Sequence, residues 1–177
     1  MAAKKKAQTT RKYWLFKSEP SAYCIRDLAG EKDQTTFWDG VRNYQARNFL
    51  RDSIQVGDRV LFYHSNSDPM AIVGTAEVVR TGYPDHTAFD PQSNHFDPKS
   101  DRAAPTWFMV DIRLLQVFPA PLMRDELKAV QPLQNMMLLQ RGSRLSVQPV
   151  TSDEWFTVLR LAGVPDVSFQ QLKRVAN

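Results

Sequence analysis

Short runs of large apolar residues alternate along the chain with clusters of proline, glycine, asparagine and aspartate, a rhythm that predicts strands interrupted by helices. Tyr13-Trp14-Leu15-Phe16-Lys17 predicts the first strand, stopped at Glu19-Pro20 because a residue before proline is pushed out of regular helix. Ser21 to Leu28 fits a short helical turn. Asp39-Gly40 marks a tight turn, and Asn43 is placed to cap a helix running to about Asp52. That helix buries Ala46, Phe49, Leu50 and Ile54 and leaves Arg47 and Arg51 wet.

Val56-Gly57-Asp58 is a turn that launches Arg59 to His64, a strand apolar on both faces and therefore buried. Ala71 to Val79 predicts another strand, in which Gly74 signals a bulge or a close backbone approach. Trp107 to Phe118 is the longest strand, with Phe108, Val110, Ile112 and Leu114 on one face. Two short helices are expected to follow, with Pro121 and Pro132 at their first positions. Arg144 to Gln148 predicts a last strand closed by Pro149. The final helix opens on a capping box of Thr151 and Glu154, repeats Trp155, Val158, Leu159 and Ala162 at helical spacing, and stops at Gly163 and Pro165.

These elements predict an α+β fold, a small mixed or antiparallel β-barrel with helices around it. One connection is out of scale. Residues 80–106 hold Pro84, Pro91, Pro98 and Pro105 with no predicted element, and connections that long are usually functional flaps or disordered.

Charge changes the picture only once it is located. The net charge is +4 with a pI near 9.3, yet Lys4, Lys5, Lys6, Arg11 and Lys12 put +5 into residues 1–12, leaving the other 165 residues at −1. The basic character belongs to an N-terminal arm, read as flexible, ahead of a domain over 13–163 and an extension over 164–177. Such an arm either touches phosphate or is simply a solvated end. A lone cysteine, Cys24, fits a reducing compartment. With no apolar run of membrane length, a cytoplasmic monomer with no membrane partner is expected.

Catalytic patterns are missing. His64, His86 and His95 lack metal-ligand spacing. There is no Gly-x-Ser-x-Gly elbow, and none of the seven glycines falls in a phosphate-cradling pattern. Asp85, Asp90, Asp97 and Asp101 read as charges solvating the long loop. No cofactor is expected and the chain reads as a binding module, not an enzyme. What stands out is polar and aromatic residues at the ends of elements: Lys17-Ser18-Glu19, Trp38 to Asn43, Tyr63 to Asn66, and Arg144 to Gln148. Trp38 beside a turn is either core or the wall of a pocket. Asn43 and Asn66 carry the donors and acceptors needed to read a base edge.

At these positions the sequence resembles the EVE domain family of the PUA-like superfamily. The matching blocks are Tyr-Trp-Leu-Phe-Lys-Ser-Glu-Pro at 13–20, Trp-Asp-Gly-Val-Arg-Asn-Tyr-Gln-Ala-Arg-Asn at 38–48 and Gly-Asp-Arg-Val-Leu-Phe-Tyr-His-Ser-Asn at 57–66. Tyr-Pro-Asp at 83–85, Trp107 with Val110-Asp111, and Ser-Arg-Leu-Ser-Val-Gln-Pro-Val at 143–150 complete them. The resemblance implies a PUA-like barrel with a concave pocket for a flipped, modified base, the implied ligand being a modified cytosine or related base in DNA or RNA. On that basis Trp38, Val41 and Tyr63 are expected to form walls. Lys17, Ser18, Asn43, His64, Ser65, Asn66, Leu145 and Ser146 would complete the ligand site, with Arg42, Arg47 and Arg144 meeting phosphate. Two alternatives stand beside this reading: an enzyme acting on a nucleotide, with His64 or a loop acid as general base, and a protein-interaction module.

Overall fold

The computed structural model describes residues 10–167. The first nine residues of the basic arm and the end of the C-terminal extension lie outside them. In chain order the regular elements are β1 (Tyr13–Ser18), α1 (Ile25–Gly30), β2 (Thr35–Trp38), α2 (Tyr44–Asn48), β3 (Arg59–His64), β4 (Ala71–Pro84), β5 (Phe108–Met123), α3 (Arg124–Lys128), β6 (Val147–Val150) and α4 (Ser152–Ala162). The strands form one sheet in the order β2-β5-β4-β3-β1-β6. Only the β1–β3 pairing is parallel; the other ladders are antiparallel.

The sheet curls. Trp38 on β2 packs against Phe16 on β1 with ring centroids 5.3 Å apart, although three strands separate β2 from β1. Its concave face therefore wraps a first core of Trp14, Phe16, Trp38, Phe62, Val110 and Ile112, closed by Ala46 and Leu50 from the α2 segment. The opposite face carries a second core, in which Leu15, Leu61 and Tyr63 meet Trp155, Val158 and Leu159 of α4. With cores on both sides, β1 and β3 must be apolar on successive residues, as their sequences are. Irregular register along β4 and β5, including shifts at Ile72/Gly74 and Val78/Arg80, supplies the bend. At Gly74 a Cβ would lie 2.3 Å from Ile25 Cδ1 and 2.5 Å from the Gln116 carbonyl, so the close approach expected there is real.

The curl stops short of the expected barrel. Among the described residues no ladder joins β2 to β6, each only four residues long. A cavity, described below, opens between β2 and the end of β1, with Ser146 just ahead of β6 at its rim.

Several boundaries also move. Pro121 lies inside β5, which extends to Met123 by pairing with Ala71 and Ile72, so the following helix begins at Arg124 and has no proline start. Pro132 sits in a 3-10 turn. β6 runs 147–150 and contains Pro149; being an edge strand paired only with β1, it tolerates a residue that cannot donate. The α2 helix continues as a π turn over Phe49–Ser53. β2 has no counterpart among the elements expected from the sequence. The final helix has its capping box, with the Glu154 amide donating to Thr151 Oγ1 at 3.2 Å, and ends at Gly163 with φ of 67°.

The long connection is ordered by its own aspartates. Asp85, Asp90, Asp97 and Asp101 each accept a hydrogen bond from the backbone amide two residues ahead. They build turns instead of only solvating the loop. Trp107 Nε1 also donates to Asp97 Oδ2 at 2.6 Å. Where the arm joins the domain it is pinned: the Lys12 amide donates to Asp58 Oδ1 at 3.0 Å and its carbonyl accepts from the Arg59 amide.

Candidate functional site

A hollow of about 970 Å³ opens between the two margins of the sheet. From one side it is lined by Lys17, Ser18 and Glu19 at the end of β1 and by Ser146 ahead of β6; the other side is β2 and the turn after it, Thr35 to Val41. The Lys17 amide donates to the Ser146 carbonyl at 2.8 Å, continuing the β1–β6 pairing to the rim.

Because successive strand residues point to opposite faces, the hollow runs over the edge of β2 and has two lobes. Trp38 and Thr36 pair in register with Val110 and Ile112, both in the first core, so they belong to the concave lobe, with Tyr23 packed nearby. Phe37 pairs with Asp111, and Asp111 also with Arg80, so these side chains form a row on the outer face with Tyr83 beside them. The Tyr83 hydroxyl donates to Asp111 Oδ1. Burial and then that bond raise its pKa well above the ordinary tyrosine value, so it remains a permanent donor. Arg80 lies 3.5 Å over the Tyr83 ring.

The long connection straps the third side. Asp85, fully buried, accepts from Arg42 Nη1 at 2.7 Å and from the Gly40 amide at 3.0 Å. Burial works against its charge, but the bonds from Thr87, Arg42 and Gly40 outweigh it and hold its pKa below the ordinary carboxylate value. Arg42 also donates to the His95 carbonyl, Nε at 3.0 Å. His95 lines the hollow with Nδ1 3.3 Å from Asp39 Oδ2. Gly40, at φ of 73°, lies directly beneath the His95 ring. Four carboxylates (Glu19, Glu31, Asp39, Asp111) face two cations, Lys17 and Arg80, in this lining. Burial first, then the charge of Arg124, lower the Lys17 pKa, and its Nζ donates to the Ser143 carbonyl at 3.2 Å. Such a lining repels phosphate and suits an uncharged ring.

Of the residues expected from the sequence, the structure brings Lys17, Ser18, Trp38, Val41 and Ser146 to the hollow. Trp38 is both things at once, 7% exposed in the core and part of the lining. Tyr63 is not a wall: it is buried in the second core, on the other side of β3 from Phe62. His64 Nε2 accepts from the Ile25 amide at 3.2 Å, and burial lowers its pKa. Asn43 caps α2, its Oδ1 accepting from the Gln45 and Ala46 amides. Asn66 Nδ2 donates to Glu19 Oε1, and the Ser65 amide to the Ser18 carbonyl, so both brace the rim indirectly. Leu145 packs on the first core and Arg144 is exposed nearby. Arg42 is engaged by Asp85, and Arg47 donates to the Thr106 carbonyl at 2.5 Å. Sequence reasoning missed Phe37, Tyr23, Tyr83, Asp111 and His95. Tyr83 and Asp111 lay in the quoted matching blocks, which was the available signal; Phe37 lay just outside them.

The EVE domain model matches residues 12–161, most of the chain. The chain belongs to the EVE domain family. Relatives of this EVE domain include thymocyte nuclear protein 1 from Homo sapiens and from Gallus gallus, each 42% identical over 166 residues, covering 84% of this chain and 73% and 68% of theirs. Among solved structures, human THYN1 in complex with DNA containing 5-methylcytosine superposes with a TM-score of 0.82 at 40% identity, covering 87% of this chain and 99% of that one. A hypothetical protein from Leishmania major matches at 0.82 and 46% identity, covering 86% and 95%. This EVE domain thus shares its fold with these proteins.

Proposed function

We propose that this EVE domain binds DNA at a modified cytosine, holding the base flipped out of the stack in the concave lobe beside Trp38. The observation that carries the proposal is the hollow itself, which gathers Lys17, Ser18, Trp38, Val41 and Ser146 from three separated stretches of chain. Its volume of about 970 Å³ fits a nucleotide-sized ligand. Trp38 and Tyr23 offer aromatic surface for stacking, and the backbone at the β1 end, with Ser18, offers polar groups for a base edge. The human relative crystallised with 5-methylcytosine-containing DNA supports the choice of base and of carrier. Since the lining is acidic on balance, the phosphates stay outside while the uncharged ring enters.

A catalytic role has less to stand on. His64 spends Nε2 on a backbone amide and does not line the hollow. The loop acid Asp85 is buried under Arg42.

One methyl group in an apolar slot is worth about 1–3 kcal/mol, so selectivity for 5-methylcytosine over cytosine is expected at about tenfold to two-hundredfold. Fluorescence titration of matched oligonucleotides measures it. Trp38→Phe, which keeps a ring in the core but shortens the wall, should lower the ratio. Equal affinity for both oligonucleotides in the unaltered protein would overturn the proposal.

A further inference from the structure

The concave lobe accounts for one base, yet the hollow continues over the edge of β2 onto the outer face. There the cross-strand row of Phe37, Asp111 and Arg80 presents a half-exposed aromatic ring, a carboxylate and an exposed guanidinium in sequence. The row stands on β5 and its two neighbours, in ladder on both sides, so its geometry is fixed by the sheet. Tyr83 fixes the carboxylate as well, by donating to Asp111 Oδ1 from a hydroxyl that stays protonated. That leaves Oδ2 as the acceptor for a ligand. Phe37 and Trp38 are consecutive residues, so the two lobes share the strand edge as a common wall.

We propose that the outer lobe is a second base site, taking the nucleotide that adjoins the flipped one when its base carries an exocyclic amino group. The ring of that base stacks on Phe37 and the amino group donates to Asp111, while the phosphates stay outside the hollow. Carboxylates accept from cytosine N4 in this way, and the same geometry serves adenine N6. Thymine presents a carbonyl there, which the carboxylate repels. The domain therefore reads a two-base context. This rests on the proposed function above, since a neighbour exists only if the first base is held.

The test uses the full chain and duplexes carrying one 5-methylcytosine, each flanked in turn by adenine, cytosine, guanine or thymine on either side, with plain-cytosine controls. A hydrogen bond to a charged group and its loss support a difference of about tenfold, so amino-bearing flanks on one side should bind about tenfold tighter than thymine. Asp111→Ala, which removes the acceptor, should abolish that preference. Phe37→Ala, at a site 45% exposed, should weaken every flank by at least about fivefold, as loss of one stacked base does. Affinity indifferent to the flank, with methylcytosine selectivity intact, overturns the second site alone. Absence of methylcytosine selectivity in the unaltered protein overturns the functional reading and the second site together.

Discussion

Arg42 Nη1 lies 2.7 Å from Asp85 Oδ2, and the carboxylate it meets has no solvent exposure. This contact fastens the long connection to the turn after β2, because Asp85 also holds the Gly40 amide and Arg42 also holds the His95 carbonyl. The strap and the cavity wall are thus one hydrogen-bonded unit.

Removing the carboxylate should be costly. Asp85→Ala leaves a guanidinium and a backbone amide without their acceptor, which destabilises by about 3 kcal/mol. The midpoint of urea unfolding measures this, and an unchanged midpoint would contradict the arrangement.

The same carboxylate predicts an acid limb. Its folded-state pKa lies below the unfolded value of about 3.9. Its contribution is therefore complete above that value and is lost as pH falls through the folded-state pKa. Asp85→Asn should lower stability at neutral pH and flatten the stability profile below about pH 4, as followed by unfolding at a series of pH values.

Gly40 combines a left-handed backbone with a crowded neighbour. A Cβ there would stand 2.5 Å from His95 Cε1. Gly40→Ala should cost about 1–2 kcal/mol from backbone strain alone and displace the His95 ring from Asp39. Calorimetry gives the first quantity. The second should appear as a change in the chemical shifts of the His95 ring in NMR spectra recorded at one fixed pH.

Phe37 and Trp38 should separate stability from binding. Trp38 contacts both Phe16 and Phe62 at 5.3 Å between centroids, so Trp38→Ala should destabilise by about 3–5 kcal/mol. Phe37→Ala should cost less than about 1 kcal/mol, since its ring is already half in water and touches His86 edge-on. Comparable losses for the two would contradict the two-lobed description.

Asp58 provides the control far from the cavity. It accepts from Trp14 Nε1 and from the amides of Lys12 and Gln55. Asp58→Ala should destabilise by about 2–3 kcal/mol without altering selectivity between modified and plain cytosine in the titration.

What the sequence made legible was whatever a single segment decides locally. β1 and β3 follow from continuous apolar runs, and α4 from its capping box and spacing. β2 escaped notice because four residues, entered from the unusual positive φ of Asp33 and Gln34, carry too little pattern to register. Tyr63 was misjudged for a related reason: a strand apolar on both faces does not say which face borders a cavity, and only pairing with β1 and β4 decides it. The barrel expectation failed because closure depends on whether two short margins meet, a property of the whole sheet's curl. Tyr83 and Asp111 come together through the irregular β4–β5 register, beyond reach of spacing rules.

The unjoined margins also bear on kinetics. An aperture already present between β2 and the end of β1 requires no strand to peel away before a ligand enters. On the function proposed above, the slow event in association then belongs to the DNA, which must release its base from the helix. Rates of capture should accordingly rise when the target base is mispaired or single-stranded and should be insensitive to agents that merely loosen the protein.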